Sequence, residues 1–295
     1  MDGNDAHLFL FGATGDLAAK KILPALQQWA AGTPFFSRIW CFGRRPFDTP
    51  AYLAFIEKKG RITIEEPLLS AIRYQQLDFN DPAAFVDLAH RLGREYPPGT
   101  RRLFFLAVKP EAFVPIASGL RDGGIFSSTD PAHRLLCEKP FGEDFASAAR
   151  IQEELMTLAR EEQIYRIDHY LGKDMIRNIL TIRFSNRLFT DSWNGASVER
   201  VDVTSIETTG VEERLDYYDR AGAINDMVQS HLLQMVALVA MAAPTHLGPE
   251  AIRQAKIDVL RRITVDDRFS PVIGQYQGYD ALRPGSLIDT YVEAA

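Results

Sequence analysis

The chain has 295 residues, 46% of them hydrophobic and 24% charged, with a formal net charge of -6. These proportions are those of ordinary globular domains and exclude disordered and fibrous classes. The negative balance, without any basic run, also removes the electrostatic footprint of a nucleic-acid binder, so an anionic ligand must be held by local positive groups.

Two cysteines, Cys41 and Cys137, lie in apolar strand-like runs. They make neither a disulfide framework nor a metal site. Met1 to Asp5 has no basic n-region, and no apolar run approaches the roughly 18 residues of a membrane span. The expected address is the cytoplasm, with no membrane or nucleic-acid partner.

His7 to Phe11 reads as a buried strand that runs directly into Gly12-Ala-Thr-Gly-Asp-Leu-Ala18 and a helix reaching about Trp29. Gly12 and Gly15 would let the backbone approach a pyrophosphate, and Ala18 would let the helix lie close on the sheet. One glycine of the dinucleotide fingerprint is missing, so a tight turn without a ligand also fits this stretch alone. Further strands are expected at Arg38–Phe42, Ile72–Leu77, Arg102–Val108 and His133–Cys137, with helices between them, notably Pro82–Leu92 and Glu111–Leu120. Such alternation predicts a doubly wound parallel sheet of the Rossmann type.

The second strand ends in Gly43-Arg44-Arg45. An arginine here, in place of an acid, accommodates a ribose 2′-phosphate and favours NADP over NAD, although a solvated arginine pair is the plain alternative. Lys139, in Cys137-Glu-Lys-Pro-Phe-Gly142, is expected at the carboxyl edge of the sheet, where ligands bind in open α/β folds. Pro140 restricts it to extended geometry and is open to a cis bond. A helix from Glu143 to about Glu162 then leads out of an NADP-binding domain spanning residues 1–165.

A substrate domain, residues 166–295, opens on Arg166-Ile-Asp-His-Tyr-Leu-Gly-Lys173. A carboxylate, an imidazole, a phenol and an ammonium beside a helix start suit a phosphate or another compact anion. A helix follows from Asp174, and Ser197–Glu207 alternates apolar and polar residues as a half-buried strand does. The apolar helix Ile224 to about Met241 carries Asp226 and His231 near its start; by itself, such a histidine is usually a packed core residue. A helix over Pro249–Ile263, a strand over Pro271–Tyr276 and an unfinished strand over Asp289–Ala295 complete the reading.

Taken together, these segments resemble the glucose-6-phosphate dehydrogenase family. The elements that carry the likeness are Gly12–Ala18 with Lys20, Lys21 and Pro24, then Glu138–Gly142, Arg166–Lys173, Asn186-Arg187 and Asp226–Gln234. The resemblance implies NADP-linked oxidation of C1 of glucose 6-phosphate to a lactone, at the entry to the pentose phosphate pathway. It implies His231 as general base with Asp168 as its carboxylate partner, and His169, Tyr170 and Lys173 on the 6-phosphate. Lys139, Glu207 and Asp226 match sugar-contacting positions, with Lys139 also near the nicotinamide. Gly12, Thr14, Gly15, Asp16, Leu17 and Arg44 match the cofactor side.

Family members continue past the last residue of this chain. That part normally supplies further antiparallel strands, another substrate-contacting lysine and much of a dimer interface. The expectation is therefore a partial α+β second domain with an incomplete antiparallel sheet and weakened homo-oligomer formation. The alternative is a catalytically silent NADP-binding fragment, and a third reading is a different sugar oxidoreductase sharing the strand-end Glu-Lys-Pro.

Overall fold

In the computed structural model, which describes residues 6–30, 32, 36–93, 100–207, 210–211, 215–264 and 271–293, strand β1 (Ala6–Phe11) is buried along its whole length. A run that is apolar on both sides belongs at the centre of a parallel sheet covered on both faces. It sits there, hydrogen-bonded in parallel to β2 (Phe36–Gly43) on one side and β4 (Arg101–Leu106) on the other. With β3 (Ile72–Gln76), β5 (His133–Cys137) and β6 (Ile164–Arg166), the sheet has the order β3-β2-β1-β4-β5-β6. This is the doubly wound order, in which the direction of winding reverses between β1 and β4. The sixth strand is new relative to the sequence reading. It is three residues long with only Ile164 buried, too short for any periodicity to show.

Alternate strand residues feed two cores. Phe9, Phe11, Phe42, Phe104 and Leu106 pack on one face with residues of α4 (Pro82–Leu92), α5 (Phe113–Asp122) and α6 (Phe145–Leu158). Leu8, Leu10, Ile39, Cys41 and Ile72 pack on the other, with residues of α1 (Leu23–Ala30), α2 (Thr49–Gly60) and α3 (Leu68–Ala71). Local sequence sets the helix starts. Asp48 and Asp81 accept from Ala51 N–H (2.8 Å) and Ala83 N–H (3.0 Å), each with a proline in the first turn, and Asp144 forms a capping box with Ser147.

The chain divides into two compact units, Met1–Ile167 and Asp168–Ala295. The second is mainly helical, with α7 (Asp174–Ser185), α8 (Arg187–Thr190), α9 (Leu215–Ala223), a π-helical stretch Ile224–Leu232, α10 (Leu233–Ala240), α11 (Pro249–Leu260) and α12 (Tyr279–Leu282). Its core gathers Tyr170, Ile176, Met235, Leu238 and Met241. The buried Arg183 guanidinium donates to the carbonyls of Leu238 (2.7 Å) and Met241 (2.9 Å), closing the carboxyl end of α10.

Strands β7 (Val272–Gly274) and β8 (Tyr291–Glu293) form a two-stranded antiparallel sheet in the expected places; Ala294 and Ala295 lie outside the described residues. The strand expected over Ser197–Glu207 is corrected, because its described residues carry no strand assignment. Val203 and Ser205 do turn inward with a period of two. However, no ladder partner lies beside them among the described residues, and inter-strand pairing is what makes a strand.

Gly12 has φ +78°, and a Cβ there would stand 2.1 Å from the Ala107 carbonyl oxygen; Gly124 has φ +72° with nothing within 4 Å. Gly124→Ala should therefore lose only the left-handed strain of about 1–2 kcal/mol, whereas Gly12→Ala adds overpacking of about 1–3 kcal/mol. Urea denaturation of both variants checks this, and equal midpoints would contradict it.

Candidate active site

The first unit gathers one set of the expected residues at the carboxyl edge of its sheet. The β1 strand ends at Phe11, and the left-handed Gly12 turns the chain so that Ala13 N–H donates to Phe42 carbonyl (2.9 Å) and Gly15 N–H to Gly12 carbonyl (2.9 Å). The chain then enters a helix in which Ala18 is fully buried, as close helix-to-sheet packing requires. Thr14 is half-buried, while Asp16 and Leu17 face solvent. Arg44 follows β2 and is exposed; Lys139 follows β5 and is half-buried, ahead of a cis bond to Pro140. A left-handed glycine, a helix start and the winding reversal coincide at one edge, which fits a dinucleotide pyrophosphate. Lys59 was not anticipated. Its Nζ donates to the Thr14 carbonyl (3.1 Å) and lies 3.2 Å from Asp16 Oδ1.

The second unit assembles the other set around one imidazole. His231 is fully buried, and its Nδ1 lies 2.7 Å from Asp168 Oδ1. Nδ1 faces that oxygen at contact distance, without the alignment of a linear hydrogen bond. Tyr170 stacks on the imidazole at 4.1 Å and 11°, and His169 meets it edge-on at 4.7 Å. Lys173 Nζ stands 3.4 Å from the centre of the Tyr170 ring, a cation–π contact. The Tyr170 hydroxyl donates to Glu207 Oε1 (3.0 Å) and lies 3.0 Å from Ser205 Oγ. Asp226 is buried and accepts from the Tyr217 hydroxyl (3.0 Å).

Burial pushes the Asp168 carboxyl upward, but the His231 contact, the Tyr170 N–H (2.9 Å) and the neighbouring imidazoles outweigh it and hold the group below the ordinary carboxylate range. Its second oxygen, Oδ2, is buried and takes no hydrogen bond among the described residues. Ligand atoms of Asp168, His169 and His231 all lie within 4.8 Å of one another, a donor set that could hold a metal ion. His231 Nδ1 and Asp168 Oδ1, at 2.7 Å, stand too close to be two ligands of one tetrahedral zinc, which lie roughly 3.4 Å apart.

The helix bearing His231 is not the regular α-helix its sequence suggests. On an α-helix, positions five apart point roughly 140° away from each other. The π-helical i→i+5 bonding over Ile224–Leu232 instead aligns them, and both Asp226 and His231 turn inward. Asp289 holds the start of this stretch, its carbonyl accepting from Ala223 N–H (2.9 Å) and its Oδ2 from Ile224 N–H (3.1 Å).

Comparison with known proteins gives the family. Residues 9–178 match the model of the glucose-6-phosphate dehydrogenase NAD binding domain, and residues 180–294 that of the C-terminal domain. The chain belongs to the glucose-6-phosphate dehydrogenase family. It is 38% identical over 291 residues to glucose-6-phosphate 1-dehydrogenase of Zymomonas mobilis, covering 94% of this chain and 59% of that protein. The crystal structure of glucose-6-phosphate 1-dehydrogenase from Mycobacterium avium superimposes with a TM-score of 0.88 at 29% identity, covering 99% of this chain and 64% of that one. A glucose-6-phosphate dehydrogenase in complex with its substrate gives 0.78 at 30%, covering 92% and 59%. The chain thus spans about three fifths of the length of these relatives.

In this family member, two further groups near the dyad escaped the sequence reading. Lys256 on α11 is half-buried; desolvation and then Arg253 lower its pKa, and the charge of Asp168 partly offsets them, while its Nζ donates to Gln234 (2.9 Å). Ser205 lies in the segment read as a strand. Neither belongs to a motif, and only the fold brings them near the residues that do.

A depressed carboxyl contributes stability above its unfolded value and loses it as pH falls through the folded one. Asp168→Asn should therefore be less stable than the parent chain at neutral pH, and the difference should shrink once pH drops below the ordinary value of 3.8. Urea midpoints of the two proteins across pH 7 to 3 test this; a gap that widens in acid would refute it.

Proposed function

We propose that this glucose-6-phosphate dehydrogenase family chain oxidises C1 of glucose 6-phosphate to the 6-phosphoglucono-lactone with NADP as cofactor. The observation that carries the proposal is the Asp168–His231 contact of 2.7 Å beside His169, Tyr170 and Lys173. Residues drawn from two distant stretches of chain form an acid–imidazole pair next to anion-binding groups.

His231 presents Nδ1 to Asp168, so Nε2 is the atom that accepts the C1 hydroxyl proton. Asp168, held ionised, stabilises the imidazolium that results. As that proton leaves, the C1–O bond becomes a carbonyl and the hydrogen on C1 departs as hydride. The nicotinamide, when bound, supplies the hydride acceptor. Tyr170 backs the imidazole through its stacked ring, and its bond to Glu207 orders that carboxylate for a sugar hydroxyl. His169 and Lys173, both exposed, take the 6-phosphate together with Tyr170. Asp226 completes the sugar contacts.

On the cofactor side, the turn formed by Gly12, Thr14, Gly15, Asp16 and Leu17 offers main-chain N–H groups at a helix start to the pyrophosphate. The exposed Arg44 at the end of β2 receives the 2′-phosphate, which selects NADP over NAD. Lys139 serves both sugar and nicotinamide.

Initial rates of nicotinamide reduction with glucose 6-phosphate and NADP test this reading. His231→Asn should lower kcat by about 10²–10⁴-fold, the range of a lost general base, with NADP affinity by calorimetry unchanged. Lys173→Met should raise KM for glucose 6-phosphate about tenfold or more, as loss of a charge-assisted hydrogen bond does. A parent-like rate in His231→Asn would overturn the assignment of the base. NADP binding without turnover in the parent chain would overturn the activity.

A further inference from the structure

We infer that Lys59 is a positioning residue for the dinucleotide, holding the outer lip of the Gly12–Asp16 turn and cancelling the negative charge Asp16 places there. The inference rests on the assignment of that turn to the cofactor. Lys59 lies outside the motifs that carry the family resemblance and comes from the second βα unit.

The geometry is a three-point clamp. Lys59 Nζ donates to the Thr14 carbonyl at 3.1 Å and stands 3.2 Å from Asp16 Oδ1, while Lys20 reaches the same carboxylate oxygen from the other side at 3.7 Å. A carboxylate in the first turn of a helix suits the helix dipole, but a phosphate bound there competes for the same positive potential. Unpaired, Asp16 would repel it. Burial nudges the Asp16 carboxyl upward, but the bond and charge of Lys59, followed by those of Lys20, hold it below its usual value. The carboxylate thus stays ionised and needs its cations.

Lys59 is held in place by packing. Its ammonium lies 5.7 Å from the Phe55 ring, which also carries the Arg45 guanidinium at 4.8 Å. The next residue, Gly60, packs so tightly that a Cβ would come within 2.4 Å of the Ala19 carbonyl oxygen. The end of α2 is therefore pinned against the helix that follows the turn, and the lysine side chain is only 27% exposed. The clamp joins the end of α2 to the pyrophosphate turn, and Phe55 on the same helix carries Arg45 from the loop after β2.

The test is calorimetric titration of the full chain with NADP. Lys59→Met should weaken binding about tenfold, the scale of a lost charge-assisted hydrogen bond. Lys59→Arg should restore most of that affinity. Lys59→Met combined with Asp16→Asn should also recover it relative to Lys59→Met alone, a coupling that a general loss of stability would not produce. Parent-like affinity in Lys59→Met overturns the inference, as does a double variant no tighter than the single one. A parent chain that binds neither NADP nor NAD would overturn the cofactor assignment itself, and the role of Lys59 with it.

Discussion

A fully buried imidazole facing a carboxylate at 2.7 Å is the constraint on which the second unit depends. Taking both groups out of water is costly unless each finds the other, and the pair persists only if two separate segments are held rigidly. One is the turn Asp168–Lys173, where Asp168 also caps its own backbone through Tyr170 N–H. The other is the π-helical stretch, pinned at its start by Asp289 and continued by α10, whose end Arg183 closes. Gly222, at φ +67°, allows the sharp entry to that stretch, and a Cβ there would stand 2.7 Å from Asp289 Oδ1. Backbone geometry, capping and the acid–base pair are therefore one connected arrangement.

Electrostatics in the first unit work locally, against the overall charge. The chain is negative, yet the edge of its sheet collects Lys20, Arg44, Arg45, Lys59 and Lys139 near the carboxyl ends of the strands. Helix starts and fixed cations within a few ångströms outweigh distant surface charge, which solvent screens. The fully buried β1 makes this edge dependable, since the turn that follows is tied to β2 through Phe42 and packed against Ala107.

Much of this was legible residue by residue. The alternation of apolar runs and helices announced the parallel sheet, because strands buried on both faces read as short continuous apolar stretches. The helix read over Pro82–Leu92 matches α4, whose start is fixed by its own aspartate cap and first-turn proline. The strand read into Ser197–Glu207 shows where that logic ends: alternation reports which side chains face inward, and pairing depends on a neighbour that the segment itself does not encode. The short β6 shows the converse, a pairing without a pattern. The candidate site divides in the same way. Arg166–Lys173 and Asp226–Gln234 were visible as motifs, while Lys59, Ser205 and Lys256 were not, since each matters through a contact with a distant stretch.

By itself, the sequence determined the class of fold and the glycine turn that leads from strand to helix, because these follow from covalent chemistry and local periodicity, while the roles expected of His231, Asp168 and the Arg166–Lys173 stretch came from the family resemblance. Tertiary structure alone decided that the Ile224–Leu232 stretch bonds i→i+5 and that Lys59 reaches across to Asp16, and it brings together the Asp168 and His231 that the resemblance had paired. Those outcomes depend on which surfaces must be buried together and which charges must then be matched at close range, a balance settled only when distant segments meet.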